Sequence, residues 1–524
     1  MWHRFHLTAY GIVSTTTGPV KSGPEIGVQI QAPPGPAHYI PRQGDVPVSI
    51  ISRRELLKQA GATAAVAALA QPGLAAPSSP VASGHRPTPA DRRFRSEAVE
   101  RYLVETRARI ADPELAELFV NCFPNTLDTT VEPGTFEGKP DTAVITGDIA
   151  AMWLRDSSAQ VRPYLPLASK DPALRALLEG VIRRQARCIL IDPYANAFMA
   201  DLNAPPLEWS RTDKTELKQG VGERKYELDS LCYPIRLAYG YWKATGGTEP
   251  FDARWHEAMR VVVRTMREQQ RKGSLGSYHF QRQAPTPTET LNEEGYGNPV
   301  NPVGLICSGF RPSDDACIFP FLVPSNLFAV SALRWLAEMA QAILHDADLA
   351  HEASALASEV EAALRKHALA QTPEGSIWAF EVDGFGGRVL MDDANVPSLL
   401  ALPYLGCSPD AAIYARTRAF VWSTRNPWFF RGIAGEGIGG PHVGRDMIWP
   451  MSQVMYALTS SVPGEIRAAI AMIKRSSAGT GFIHESYFKD NPAKFTREWF
   501  AWANTLTGEL LGKLALKQPE LLRS

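Results

Sequence analysis

The sequence predicts an all-α fold, an (α/α)6 barrel with short β-hairpins in its loops. Three observations predict it. About a dozen segments place apolar residues at the spacing of roughly 3.6 that an amphipathic helix requires, while alternating runs are few. No self-similarity appears at the roughly 34- to 45-residue periods of an open helical solenoid, so paired helices closing into an inner and an outer ring fit better. Finally, 524 residues at 45% apolar and 21% charged, with 12 Trp, 15 Tyr and 21 Phe, can fill the core that such a ring encloses.

In chain order, helices are expected over 94–110, 113–123, 157–167 and 171–190. Four more follow over 228–244, 252–270, 325–344 and 350–368, and the last four over 410–422, 451–459, 464–475 and 499–514. Strand candidates at 142–145, 277–281 and 377–382 are short enough for hairpins within loops. Gly, Trp, Arg, His and carboxylates gather in the connections rather than on helix faces, and loops on a rigid scaffold are where chemistry is placed.

The domain carrying these helices is expected to span 93–524. Ahead of it, Ser52-Arg53-Arg54-Glu55-Leu56-Leu57-Lys58 reads as a twin-arginine signal, giving a signal peptide over 52–76 and a Pro/Ser-rich linker over 77–92. The run 60–70 is Ala-rich and too short to span a bilayer; Ala68 and Ala70, or Gly73 and Ala75, suit a signal peptidase. An ordinary amphipathic helix containing Arg-Arg is the alternative. Export by the twin-arginine machinery would deliver folded protein to the periplasm or the outside. Residues 1–51 are then a disordered extension, or lie upstream of a true start near Val46 or Val48. No later stretch reaches about 18 consecutive apolar residues, so no membrane anchor is expected.

With 54 Lys+Arg against 55 Asp+Glu, the chain lacks the basic field that nucleic-acid binding uses and offers anionic lipid no polybasic patch. The cysteines, Cys122, Cys188, Cys232, Cys307, Cys317 and Cys407, form no C-x-x-C and read as buried free thiols, with a Cys307–Cys317 pairing as the alternative. There is no H-E-x-x-H zinc motif and no G-x-S-x-G nucleophile elbow, so neither a metal nor a cofactor is expected.

Four connections carry the candidate chemistry. In Thr146–Ser157, Trp153 offers an indole face for a pyranose, and Arg155 and Asp156 offer a donor and an acceptor for adjacent hydroxyls; Asp156 or Ser157 could instead cap the helix that follows. In Cys307–Ala316, Asp314 and Asp315 repel one another, so a desolvated member retains its proton and can act as a general acid; a helix cap is the alternative. Gly435–His442 is Gly-rich without a phosphate-loop context and brings a backbone and His442 close to a ligand, or is a plain turn. In Thr480–Tyr487, Glu485 beside His484 can serve as a base for water, or is a surface carboxylate. Two carboxylates in a cleft lined with aromatic and Arg side chains point to glycosidic bond cleavage.

Taken together, GDIAAMWLRDSSAQVRPYL (147–165), DPYANAF (192–198), KYELDSLCYP (225–234), SGFRPSDDA (308–316), GEGIGGPHVG (435–444) and TGFIHESY (480–487) resemble glycoside hydrolase family 125, the metal-independent exo-α-1,6-mannosidases. The blocks run in order from about Phe94 to Leu516. The resemblance implies an (α/α)6 barrel and an inverting release of mannose from the non-reducing end of α-1,6-linked manno-oligosaccharides or glycans. It implies a general acid at Asp314, with Asp315 as the alternative, and a general base at Glu485. Arg155 and Asp156 would hold the sugar, with Arg311 and His442 close by and Trp153, Asp315 and His484 completing the substrate contacts. Asp229 reads as a buried structural carboxylate, and the loop 275–301 as the determinant of tolerated chain length. Another inverting barrel exo-glycosidase, such as a glucosidase, or a non-catalytic carbohydrate-binding barrel are the alternatives.

N-terminal sequencing of the unprocessed precursor is expected to begin near Val46 or Val48; peptides from 1–45 would contradict that start.

Overall fold

In the computed structural model, the described residues are 86–284 and 286–523. The segments read as an extension (1–51) and a signal peptide (52–76), and most of the linker, lie outside them. The described end of that linker is tied to the domain: Arg86 pairs with Glu100 and Asp128, each at 2.8 Å.

Thirteen α-helices occur among the described residues: α1 Glu97–Arg107, α2 Pro113–Cys122, α3 Asn125–Thr129, α4 Leu154–Val161, α5 Pro172–Ile191, α6 Leu228–Thr245, α7 Ala253–Glu268, α8 Val323–Met339, α9 Ala347–His367, α10 Ala411–Val421, α11 Pro450–Leu458, α12 Pro463–Ser476 and α13 Ala501–Lys517. Every expected helix is present. The short α3 was not foreseen, and α4 begins three residues before the expected 157, giving way to three-ten turns at Arg162–Lys170. Pro163 and Pro166 lack the N–H that an α-helix would use there.

Helix starts differ, and the short α3 and the outer α12 lack a side-chain cap. Ser96, Asp112, Asp171, Asp252, Asp346 and Asp410 cap α1, α2, α5, α7, α9 and α10 by accepting backbone N–H bonds of the first turn. By contrast, α4, α6, α8, α11 and α13 follow Trp153, Glu227, Leu322, Trp449 and Phe500, none of which caps with its side chain. These five helices are the inner ones, buried on most of their surface.

Their packing returns on itself. α4 lies on α6, α6 on α8, α11 on α13, and α13 on α4. Behind them, α2 backs α13, α5 backs α6, α9 backs α8 and α12 backs α11. The irregular segment 396–406 joins the inner helices. Asp392 accepts the N–H groups of Leu399 and Leu400 at 2.8 and 2.9 Å, Tyr233 donates to the Val396 carbonyl, and Tyr404 donates to Glu509 on α13. Burial pushes Asp392 up to about 8, against those two backbone bonds.

Helix 323–344, with its terminal π-turn, has a mean hydropathy of 1.4 and is long and apolar enough to cross a membrane by length and composition. Here it packs between α6 and α9, and that burial accounts for its composition. All six cysteines are buried and free, without a Cys307–Cys317 pairing.

Among the described residues the strands form six sheets of two or three short strands. The strand expected at 142–145 lies in the hairpin Val131–Phe136/Lys139–Val144, and that at 377–382 divides into Gly375–Trp378 and Glu381–Val382. The stretch 277–281 is not a strand; only Gln281 pairs, with Lys214. One antiparallel sheet leads into the inner helices α4 and α6: β3 Ala151–Trp153, β4 Ala197–Met199 and β5 Val221–Glu223, with Trp153 opposite Ala197 and Ala197 opposite Glu223.

The packing of α13 on its backing helix α2 requires close approach at Gly508, where a Cβ would meet the Phe123 backbone N at 2.7 Å. Gly508→Ala is expected to destabilise the domain by about 1–3 kcal/mol, lowering the thermal unfolding midpoint by several degrees. An unchanged midpoint would show that the contact yields freely.

Candidate active site

The three-stranded sheet sets the site out. Its strands run into Leu154-Arg155-Asp156, out of Tyr194-Ala195-Asn196, and into Arg224-Lys225-Tyr226-Glu227, so side chains from three distant stretches converge. Asn196 stitches them: its carbonyl accepts from Leu154 N, its Oδ1 from Lys225 N, and its Nδ2 reaches Glu223 at 3.1 Å and Asp314 Oδ1 at 3.2 Å.

At the centre is Arg155, in the first turn of α4 and buried. Its Nη1 bonds Glu227 and lies 3.5 Å from Asp229; its Nε is 3.4 Å from Asp156, and its Nη2 is 3.8 Å from Asp314. One guanidinium therefore serves four carboxyls. Asp156, Glu227 and Asp229 belong to or precede uncapped first turns, where the helix dipole favours negative charge.

That charge is insufficient for all four. Burial drives Glu227 well above the ordinary carboxylate range; Arg155 opposes the rise, while Asp314 and Asp229 add to it. Asp229 is pushed up to about 6, again by burial, with Arg155 offsetting only part. Burial also raises Asp156, against Arg155 and the 2.6 Å bond from Thr146. Asp314 is the exception: burial works against its charge, but Lys225, Arg155 and His442 prevail and hold it down at about 2.

Asp314 is also held in an unusual backbone state. Its φ is +65°, the left-handed region, in a tight turn where its N–H donates to the Arg311 carbonyl and Arg311 N–H donates to the Asp315 carbonyl. Lys225 Nζ donates to the Asp314 carbonyl at 2.8 Å and to Glu289 at 2.9 Å. Glu289 belongs to the loop 275–301, whose Arg282 binds Asp213, Glu223 and the same Glu289. The loop expected to govern chain length thus reaches the Asp314 turn through Lys225.

Asp315 points elsewhere. It is buried beside Ser313, which lies 3.4 Å from it and donates to Asp393 at 3.0 Å. Burial lifts Asp315 to about 6; His442 draws it down and Asp393 adds to the rise. His442 therefore faces both Asp314 and Asp315, with its ring 6.4 Å from that of Trp449.

Glu485 lies on the other flank. Thr496 Oγ1 donates to its Oε2 at 2.9 Å, and Arg497 Nη1 lies 3.5 Å from its Oε1. Arg497 also pairs with Asp148 and reaches the Thr146 carbonyl at 3.5 Å. Glu485, Arg497, Thr146, Asp156, Arg155 and Asp314 thus form one continuous chain of side-chain and backbone contacts.

Three expected substrate contacts are buried. His484 is stacked on Phe495 at 3.7 Å, with Nδ1 3.0 Å from the Arg497 carbonyl and Nε2 3.2 Å from the Ser477 carbonyl. Its ring braces the loop behind Glu485. Arg311 is buried and spends its Nε on Glu381 at 2.6 Å. Trp153 is buried against Ala151, Ala197 and Leu207. Residues the sequence reading did not select are Glu227, Lys225, Asn196, Thr146, Asp148 and Arg497. Asp229, read as structural, is buried as expected, yet it touches Arg155.

The signature of glycoside hydrolase family 125, described as metal-independent alpha-mannosidase, matches residues 112–512. The chain is similar to the meiotically up-regulated gene 157 protein of Schizosaccharomyces pombe, at 40% identity over 461 residues, 84% of this chain and 89% of that protein. It is also similar to a metal-independent α-mannosidase from Streptococcus pneumoniae, solved as a non-productive complex with α-1,6-mannobiose. That match has a TM-score of 0.77 and 39% identity, covering 81% of this chain and all of the other. On a match spanning most of its length, this chain belongs to glycoside hydrolase family 125, the metal-independent α-mannosidases.

Proposed function

We propose that this α-mannosidase is an inverting exo-enzyme that releases mannose from the non-reducing end of α-1,6-linked mannosides. Asp314 is the general acid for the glycosidic oxygen, and Glu485 is the general base for water on the opposite face of the ring. One observation carries the reading: two carboxyls far apart in sequence end a single chain of contacts through Arg155, Asp156, Thr146 and Arg497. The pneumococcal relative's complex with α-1,6-mannobiose supports the linkage.

The environments divide the roles. Asp314 is partly exposed and faces cations and a buried carboxyl, whereas Glu485 is held by a hydroxyl and a guanidinium that leave it free to accept. His442, which is partly exposed, and Asp156, whose Oδ2 has no hydrogen-bond partner, are the groups assigned to sugar hydroxyls. An (α/α)6 barrel accounts for the scaffold, with 396–406 as the sixth inner element. We also propose export through the twin-arginine route to the periplasm or beyond, on the strength of Ser52–Lys58.

Inversion calls for a carboxyl separation of roughly 6.5–9.5 Å, leaving room for water. Glu485→Gln is expected to lower turnover on the order of 100-fold or more on α-1,6-mannobiose while substrate affinity by calorimetry changes little. Near-full activity would place the base elsewhere. NMR of the first-formed sugar is expected to show β-mannose; initial α-mannose would exclude inversion, and cleavage of an α-linked glucobiose instead would change the substrate.

A further inference from the structure

A general acid must carry a proton, yet Lys225, Arg155 and His442 all favour an ionised Asp314. The proton has to be held nearby. Glu227 shares the Arg155 guanidinium with Asp314, and its side chain is fully buried. Its Oε2 accepts from Arg155 Nη1 and from Ser230 Oγ, the latter at 2.8 Å, whereas its Oε1 is buried with no donor directed at it. The neighbour within hydrogen-bonding contact is the Asp314 carboxyl. Two carboxylates only accept, so this contact is repulsive unless one of them is protonated.

We propose that Glu227 is a positioning residue that shares a single proton with Asp314, holding the acid's carboxyl in place and keeping its proton available at neutral pH. The inference rests on Asp314 being the acid. The groups around Glu227 agree with it. Arg155 from α4 bonds Glu227 Oε2 and leaves Oε1 without a donor, and Asp229 on α6 disfavours a second negative charge. The direction of the shifts agrees as well: burial and the two Asp neighbours raise Glu227, while Lys225, Arg155 and His442 lower Asp314.

The step balances. The shared proton passes to Asp314 and then to the glycosidic oxygen as the C1–O bond breaks and its electron pair goes to the leaving alcohol. Water adds its oxygen to C1 and its proton to Glu485. The pair, briefly doubly negative beside Arg155 and Lys225, then takes a proton from solvent, and Glu485 returns one.

The test compares Glu227→Gln with Asp314→Asn on α-1,6-mannobiose and on 2,4-dinitrophenyl α-mannoside, whose leaving group needs no proton. Glu227→Gln is expected to lose about 100-fold or more on the mannobiose but under about 10-fold on the activated substrate. It should also move the alkaline limb of kcat/KM downward by about one pH unit or more, because Gln can donate an N–H to Asp314 but cannot lend it a proton. An unchanged limb and mannobiose rate in Glu227→Gln, alongside loss in Asp314→Asn, overturns the proposal alone. Full mannobiose activity in Asp314→Asn overturns the assignment of the acid. Equal loss on both substrates by Glu227→Gln marks a merely structural role and also overturns it. If Glu227→Gln does not fold, a crystal structure of the unmutated enzyme decides: a carboxyl–carboxyl distance of about 2.5–2.7 Å is expected for a shared proton, and one beyond about 3.5 Å overturns it.

Discussion

The site depends on one guanidinium. Arg155 is the positive charge common to Asp156, Glu227, Asp229 and Asp314, and all but Asp314 lie almost wholly out of water. Buried carboxylates are stable only where a partner compensates the lost hydration. A single cation cannot do this for four, so the carboxyls are perturbed unevenly: Asp314, with additional cations near it, is held low, and the fully buried Glu227 is driven well up. Lysine could not replace it. A fork with several N–H donors in one plane reaches Glu227, Asp156 and Asp314 in three directions, whereas an ammonium is a point charge on a flexible stem.

A second layer fixes the first. Lys225 spans the Asp314 carbonyl and Glu289, and Arg282 joins Glu289 to Asp213 and Glu223. Such a network adds little net stability compared with well-packed apolar residues, but removing one member leaves the others charged and buried, at about 3–5 kcal/mol. Its effect here is geometric. It clamps the carbonyl of a residue whose φ of +65° is disfavoured for a side chain of any size, and so fixes the direction of the Asp314 carboxyl.

The outer helices were legible because each buries one stripe against the inner ones, and burial of a stripe is what a 3.6-residue period records. The inner element at 396–406 left no such trace: its form depends on Asp392 holding two N–H groups and on Tyr233 and Tyr404 arriving from other helices. In the site, Arg155, Asp156, Asp314 and Glu485 stood out as charged residues in Gly-rich connections. Asn196, Lys225 and Glu227 did not, because single polar residues at strand ends have no spacing to recognise; their meaning comes from sheet register. One signal was available but unused. Asp and Ser caps mark six helices that are not inner, and the uncapped starts at Trp153 and Glu227 mark where the site lies. His484 is the opposite case. A histidine beside a candidate base suggests chemistry, and only the fold reveals that the ring is buried against Phe495 and two backbone carbonyls.

Ring closure and catalysis are coupled through one contact. Arg155 opens α4, and Arg497 lies just before α13, the helix that packs on α4 to close the ring. The proposed acid is held from the α4 side and the proposed base from the α13 side, so the separation between the two carboxyls is set by how these two helices seat. Thr146 and Asp148, in the turn before α4, meet Arg497 directly, which makes this seam the shortest path between the two halves. Gly508 lies farther along α13, where the absent Cβ lets that helix approach Phe123. A change that lifts α13 there would act on the acid–base spacing without touching either carboxyl, and a misplacement near 1 Å is enough to cost on the order of 100-fold in rate.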